Sequence, residues 1–145
     1  MQTICGMDCC CECQLRGAAC AGCQETSGHP CGGSCVAAEL FQRGGASAFL
    51  QARQQLMNEC NALGLPGLQV SDMHLMMGQL VDLTYPLPNG TSANLLRPDR
   101  VYFVNQLPSP DGGRCYGIAA DETMLLVCTY GAEGREPELL LFKRR

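Results

Sequence analysis

Nine of the twelve cysteines lie within the first 35 residues of this 145-residue chain. Their spacing includes two C-x2-C pairs, Cys10/Cys13 and Cys20/Cys23, separated by six residues. A C-x2-C pair forms a tight knuckle from which two thiolates can reach the same ion. Two such pairs supply the four sulfurs of a tetrahedral zinc site. The pattern therefore predicts a metal site in residues 1–35.

The cluster offers more thiols than one four-coordinate site can use. The predicted metal ligands are Cys5, Cys9, Cys10, Cys13, Cys20 and Cys23. The two C-x2-C pairs satisfy a four-thiolate site by themselves, so Cys5 and Cys9 compete with them for places. The candidates whose participation stays open are Cys11, Cys31, Cys35 and His29.

Thiolate ligands suit two kinds of centre. Zinc is the favoured cofactor because it is the usual occupant of four-cysteine structural sites. An iron–sulfur cluster is the alternative, since it is also held by cysteines. The ferredoxin run C-x2-C-x2-C-x3-C-P does not occur in the sequence. Metal identity and the number of sites therefore stay open.

Charge and hydropathy exclude several classes of partner. The formal net charge is −4, and Lys143 is the only lysine. Nucleic-acid binding draws its affinity from clustered cations, which here occur only at 143–145, so no nucleic-acid partner is expected. The N-terminal residues have no basic and apolar signal regions, and no apolar stretch is long enough to cross a membrane. We expect a cytoplasmic protein with reduced thiols, for which metal binding is favoured over disulfides.

A broken helix is predicted directly after the cysteine cluster. Ser34 is the expected N-cap, Gly44-Gly45 divides the helix into pieces spanning 36–42 and 46–63, and Gly64 ends it. The apolar stripe of the second piece consists of Phe49, Leu56, Met57, Cys60 and Leu63. A stripe of this kind predicts a helix packed against a sheet.

The rest of the chain predicts antiparallel strands joined by short turns. Alternating apolar and polar residues predict a strand over 81–85. Further strands are predicted at 92–96, 101–106, 115–119, 124–130 and 138–143. Because the connections are too short for crossover helices, these strands are expected to be sequential and antiparallel. Residues 70–78 fit either a helical turn or core filling by methionines.

The predicted fold class is α+β. It comprises an N-terminal Cys-rich metal knuckle, a broken helix and an antiparallel β-meander of four to six strands. Residues 1–35 form the metal-binding segment, and residues 36–145 form the helix and sheet, with the segment docked in one compact unit. Zinc binding contributes on the order of 10 kcal/mol to the folding of small domains, which would replace the core that the first segment lacks. Cys60, Cys115 and Cys128 are predicted to be core residues.

The N-terminal pattern resembles that of a known family. The resemblance rests on Cys5-Gly6-Met7-Asp8-Cys9-Cys10 with Cys13, on Cys20-Ala21-Gly22-Cys23, and on Gly32-Gly33-Ser34-Cys35-Val36-Ala37-Ala38-Glu39. The family is cysteine-rich and occurs in anaerobic gut Firmicutes and related bacteria and archaea. Its members open with a C-G-x-x-C-x-x-C-like run followed by C-x-G-C. Metal binding, but no activity, is attributed to it. The resemblance covers residues 1–63 and implies a metal-ligand role for Cys5, Cys9, Cys13, Cys20 and Cys23.

These observations favour a zinc-stabilised, non-catalytic binding or interaction module. An aromatic patch on the sheet, around Tyr102 or Tyr130, would be its mark. The alternatives are an iron–sulfur electron-transfer protein and a metal-dependent enzyme, although no phosphate loop, G-x-S-x-G or H-E-x-x-H motif occurs. The interaction hypothesis allows a protein partner, and the sequence leaves its identity and the oligomeric state open.

Overall fold

The structure is a computed structural model that describes residues 34–110 and 112–144. It confirms the mixed α+β class, with one long helix and a multi-stranded sheet. The elements in chain order are β1 (Ser34–Cys35), α1 (Val36–Ala62), β2 (His74–Met77), α2 (Gly78–Val81), β3 (Thr84–Pro86), β4 (Ser92–Asn94), β5 (Arg100–Pro108), β6 (Cys115–Ala120), β7 (Met124–Tyr130), a 3-10 turn (Ala132–Gly134) and β8 (Glu138–Arg144). The predicted metal knuckle lies outside the described residues, and the boundary at residues 35 and 36 stays a prediction.

Helix α1 is broken at the two glycines, as predicted. Gly44 has φ −149° and Gly45 has φ 68° with ψ −158°, and neither conformation is helical. The left-handed φ of Gly45 is one that side chains with a Cβ rarely adopt. Gly64 has φ 70°, so the predicted stop at the C-terminal end is also confirmed.

The predicted N-cap is wrong. Ser34 belongs to β1, and the cap position is Cys35, which makes no side-chain capping hydrogen bond. The Ser34 hydroxyl instead accepts a hydrogen bond from the guanidinium of Arg100 at 2.8 Å. The Ser34 hydroxyl oxygen is therefore bonded to a charged donor and does not cap the helix. The pairing of β1 with β5 fixes the start of the helix instead.

Strands β5, β6, β7 and β8 form the predicted antiparallel meander. Two further strands flank β5, which makes a six-stranded sheet. Val101 pairs with both Cys35 of β1 and Met77 of β2, so β1 and β2 lie on opposite edges of β5. Strand β1 was not predicted, and it runs parallel to β5. The whole of α1 lies between these two strands and supplies the crossover that a parallel pair requires.

Two other expectations need correction. Val81 ends the short helix α2 and does not begin a strand, and β3 starts at Thr84. Strands β3 and β4 pair only with each other, so the hairpin is a separate two-stranded sheet outside the meander. Residues 74–77, left open by the sequence, form β2.

The main sheet is apolar on both faces. Helix α1 covers the first face with Phe49, Leu56, Met57 and Cys60, all of which are buried, whereas Leu63 beyond its end is 38% exposed. The second face carries its own cluster of buried residues, packed under the β3–β4 hairpin. This cluster consists of Tyr85, Leu96, Tyr102, Val104, Ala119, Met124, Leu126 and Cys128. The sheet therefore separates two cores, and only the helix-covered core was expected.

The helix–sheet contact can be tested at two leucines of α1. Leu56 is 1% exposed, whereas Leu50 is 55% exposed. Because Leu56→Ala leaves a cavity in the first core, we expect it to lower the free energy of unfolding by about 2–5 kcal/mol. Leu50→Ala should change it by less than about 0.5 kcal/mol. Urea denaturation measures both changes, and equal effects would contradict the packing of α1 on the sheet.

Candidate functional site

The six predicted metal ligands all lie outside the described residues, and so do Cys11, Cys31 and His29. Cys35, whose participation was open, is described and is 5% exposed within the first core. Within residues 34–110 and 112–144, no group of three or more His, Cys, Asp or Glu side chains could hold a metal ion. The metal-site prediction therefore rests on the sequence of the N-terminal segment.

The cysteines outside the cluster divide into two kinds. Cys60 and Cys128 are buried in the first and second cores, which confirms the packing role predicted for them. Cys115 is only half-buried and lies on the wall of a groove described below. Its prediction as a core residue is therefore only partly correct.

A buried arginine contacts Ser34, the first residue that the structure describes. Arg100, the first residue of β5, is 7% exposed. Its Nη1 donates to the Ser34 hydroxyl at 2.8 Å and to Glu39 Oε2 at 3.0 Å. Its Nη2 donates to Glu39 Oε1 at 2.9 Å, and its Nε donates to Asp121 Oδ2 at 2.7 Å. We call Ser34, Glu39, Arg100 and Asp121 the junction network.

The backbone reinforces the junction network. The amide of Ser34 donates to the carbonyl of Asp99 at 3.0 Å, and Ser34 pairs with Arg100 in the parallel register. The guanidinium carbon of Arg100 also lies 5.8 Å from the ring centroid of Tyr102. Side-chain and backbone contacts thus fix residue 34 at the N-terminal end of β5.

Asp121 is the buried anion of the junction network, with a side chain only 4% exposed. Its Oδ1 accepts hydrogen bonds from the amide and hydroxyl of Thr123, both at 2.7 Å, and from the amide of Met124 at 3.0 Å. Burial alone would raise the pKa of Asp121. The bonds from Thr123 and the charge of Arg100 outweigh burial and hold the pKa below its ordinary value. Asp121 therefore stays ionised and organises the turn between β6 and β7.

A groove of about 840 Å³ lies on the second face of the sheet, beside the β3–β4 hairpin. Its lining combines apolar residues, such as Leu83 and Leu126, with the polar residues His74, Asn105 and Gln106. The volume falls within the range of about 300–1,000 Å³ that small-molecule sites occupy. The charged side chains on its wall, among the described residues, are Asp82 and Glu133. The groove is thus a partly apolar site with a mildly acidic rim.

A glycine shapes the floor of the groove. A Cβ at Gly117 of β6 would lie 2.8 Å from Cε1 of Tyr130 and 3.0 Å from Sγ of Cys128. Such distances are too short for real Cβ contacts, so any larger residue would displace the tyrosine ring or the thiol. The glycine lets both groups of β7 lie against β6. A glycine inside a strand often marks such a close approach.

The polar groups of the groove hold their protons. Tyr85 donates a hydrogen bond to the thiol of Cys128, and burial is the main cause that raises the pKa of both groups. Burial, followed by the nearby Cys115 and Cys128, raises the pKa of Tyr130 to about 12. At neutral pH the groove therefore presents a neutral thiol and neutral phenols.

The two tyrosines named for an aromatic patch differ in their surroundings. Tyr130 lines the groove, but Tyr102 is 3% exposed and its hydroxyl accepts a hydrogen bond from the amide of Arg97 at 2.9 Å. The pairing of Arg100 with Asp121 was not predicted. The Asp-Glu-Thr turn after β6 was the only local signal for this network in the sequence. No local pattern links positions as far apart as 34, 39, 100 and 121.

None of the helices in the described ranges has the length and apolar composition needed to cross a membrane. The chain matches no protein-family model, no curated protein and no solved structure.

The junction network predicts a specific effect of pH on stability. Asp121→Asn removes the buried charge opposite Arg100, and we expect it to lower the free energy of unfolding at pH 7 by about 3 kcal/mol. Because the folded pKa of Asp121 is depressed, its contribution is present above the unfolded value of about 3.9 and is lost as pH falls toward the folded value. The difference between wild type and Asp121→Asn, measured by urea denaturation, should therefore shrink below about pH 4.

Glu122→Gln is the matched control for this experiment. It alters the neighbouring residue in the same turn, whose partner Arg43 is exposed. Exposed ion pairs contribute little to stability, so the control should leave unfolding nearly unchanged. A similar loss in both variants would argue against a special role of the buried pair.

Proposed function

We propose that this chain is a zinc-stabilised cytoplasmic binding module without catalytic activity. In this proposal the zinc ligands are Cys10, Cys13, Cys20 and Cys23. Cys5 and Cys9 are alternative ligands. The spacing of the two C-x2-C pairs supports the metal, and so does the resemblance to the cysteine-rich family. The ion would organise a segment that has too little apolar surface to fold by itself.

The junction network supports a structural role of the metal. A metal knuckle organises the rest of a protein only if it is attached to a fixed point. Ser34, near the end of the cysteine-rich segment and the first described residue, is held by Arg100 and by the carbonyl of Asp99. A knuckle formed by the residues before it would therefore adjoin a rigid base.

The groove is the observation that carries the binding proposal. It is large, partly apolar and open on a face that the main helix does not cover. Three of its polar groups, Tyr85, Cys128 and Tyr130, have raised pKa values, so they remain protonated and neutral. An apolar wall with a few protonated polar groups fits reversible binding of an apolar molecule or side chain.

Metal analysis tests the first half of this proposal. Protein purified without oxygen should be colourless and contain about one zinc ion per chain. Replacing Cys20 and Cys23 with serine should abolish the zinc and lower the melting temperature by more than about 10 °C. Elemental analysis and thermal unfolding supply the two readouts.

Cys115→Ser is the control, since Cys115 lies far from the cluster in sequence, in strand β6. It should keep the zinc content of the wild type. Stoichiometric iron and sulfide with absorption near 400 nm would replace the zinc proposal by the iron–sulfur alternative. Unchanged melting after metal removal would contradict the structural role.

A neutral fluorescent probe tests the groove. N-phenyl-1-naphthylamine brightens in apolar surroundings, and we expect it to bind saturably at one site per chain. Cys115→Phe places a ring in the groove and should abolish the signal, whereas Leu50→Phe on the exposed side of α1 should not. Equal binding by both variants, measured by titration, would show that the probe lies elsewhere and that the groove is not the binding surface.

A further inference from the structure

Strand β8 is the last strand of the main sheet. It pairs with β7 on one side, and no described residue pairs with its other edge. We propose that two copies of the chain associate through this edge, with β8 of each copy antiparallel to β8 of the other. This inference does not depend on zinc or on the groove, because it rests on β8 alone.

The composition of β8 favours pairing with another strand. The strand is seven residues long and reads Glu-Leu-Leu-Leu-Phe-Lys-Arg, with its charges only at the two ends. Proteins commonly guard an edge with proline, a charged side chain, a bulge or a very short strand. Between Leu139 and Phe142 there is no proline and no charged residue, and the bulge at Leu140 is the one such feature. Leu140 is 40% exposed, and among the described residues few large apolar side chains have that much exposure.

A bulge in β8 determines which residues share a face. The register with β7 shifts between Val127 and Cys128, and Leu140 has no partner across β7. Glu138 lies opposite Thr129, and Lys143 lies opposite Leu125. Since Thr129 and Leu125 are four residues apart on one strand, they lie on the same face, and so do Glu138 and Lys143.

The other face follows the same rule. Leu139 lies opposite Cys128 and Phe142 lies opposite Leu126, and both pack against the second core. Without the bulge, Leu139 and Phe142, three positions apart, would lie on opposite faces of the sheet. The same would hold for Glu138 and Lys143, which are five positions apart. The extra residue brings each of these two pairs onto one face.

Residues that pair across antiparallel strands must share a face. The two-fold register of β8 that we propose satisfies this rule: it places Glu138 opposite the partner's Lys143 and Leu139 opposite the partner's Phe142. Symmetry creates each contact twice, so the dimer has a Glu–Lys pair at both ends and apolar pairs between them. A parallel arrangement would instead place Glu138 beside the partner's Glu138. Charge thus selects the antiparallel orientation.

Charge reversal tests the dimer. In anaerobic, reducing buffer, light scattering should show a species of twice the 15.6 kDa chain mass that grows with protein concentration. Glu138→Lys and Lys143→Glu each place like charges opposite one another at both ends. Each should raise the dissociation constant roughly tenfold. The double variant restores opposite charges and should restore the dimer. Both side chains are exposed, so circular dichroism should show unchanged melting.

Zero-length crosslinking tests the register. Lys143 is the only lysine of the chain, and a carbodiimide should join it to Glu138 of the other copy. Within one strand these residues are about 16 Å apart, too far for a direct amide bond, so this crosslink reports association. Lys143→Arg keeps the charge and should keep the dimer while losing the crosslinked peptide.

Several outcomes would overturn the proposal. A chain that stays monomeric at every concentration would mean that something else covers the β8 edge. A dimer insensitive to both charge reversals would place the interface elsewhere. A dimer with no crosslink between Glu138 and Lys143 would exclude this register.

Discussion

One buried guanidinium connects four separate parts of the chain. Arg100 is bonded to the start of α1 through Glu39, to β1 through Ser34 and to the β6–β7 turn through Asp121, while it belongs itself to β5. A buried arginine requires partners for its N–H groups, because removing its charge from water is costly. This requirement acts as a geometric constraint. The helix start, the parallel strand and the turn must meet at one point, and Ser34, near the end of the cysteine-rich segment, is held there.

The difference between the two faces of the sheet follows from the lengths of the elements that cover them. Helix α1 spans 27 residues and covers the first face with a continuous apolar stripe. The second face has only a hairpin of two three-residue strands, with the short helix α2 beside it. The hairpin packs over this face, where β3 contacts β8 and Tyr85 contacts Cys128 of β7. The part of the face that it leaves open is the groove. The binding proposal therefore depends on an incomplete layer of secondary structure.

Much of the fold could be predicted from the sequence, because its signals are local. Gly44-Gly45 breaks the helix, Gly64 ends it, and β5 to β8 begin and end within two residues of the predicted positions. The failures involve long-range contacts. Ser34 resembles a cap by its position, yet an arginine 66 residues away takes its hydroxyl. Strand β1 has only two residues, too few for any periodic pattern. The groove results from what the hairpin leaves uncovered, which no single segment encodes. The six predicted cysteine ligands stay a prediction.

The pairing of β1 with β5 also bears on the order of folding. The meander from β5 to β8 forms between neighbours in the chain, whereas the contact between Ser34 and Arg100 closes a loop of 66 residues. Closing a long loop costs entropy before any contact compensates for it, so distant pairings tend to form after local ones. Strand β1 also needs α1, β5 and the Asp121 turn in place before its partners exist. The end of the cysteine-rich segment would then be attached late in folding, after the surface that receives it has formed.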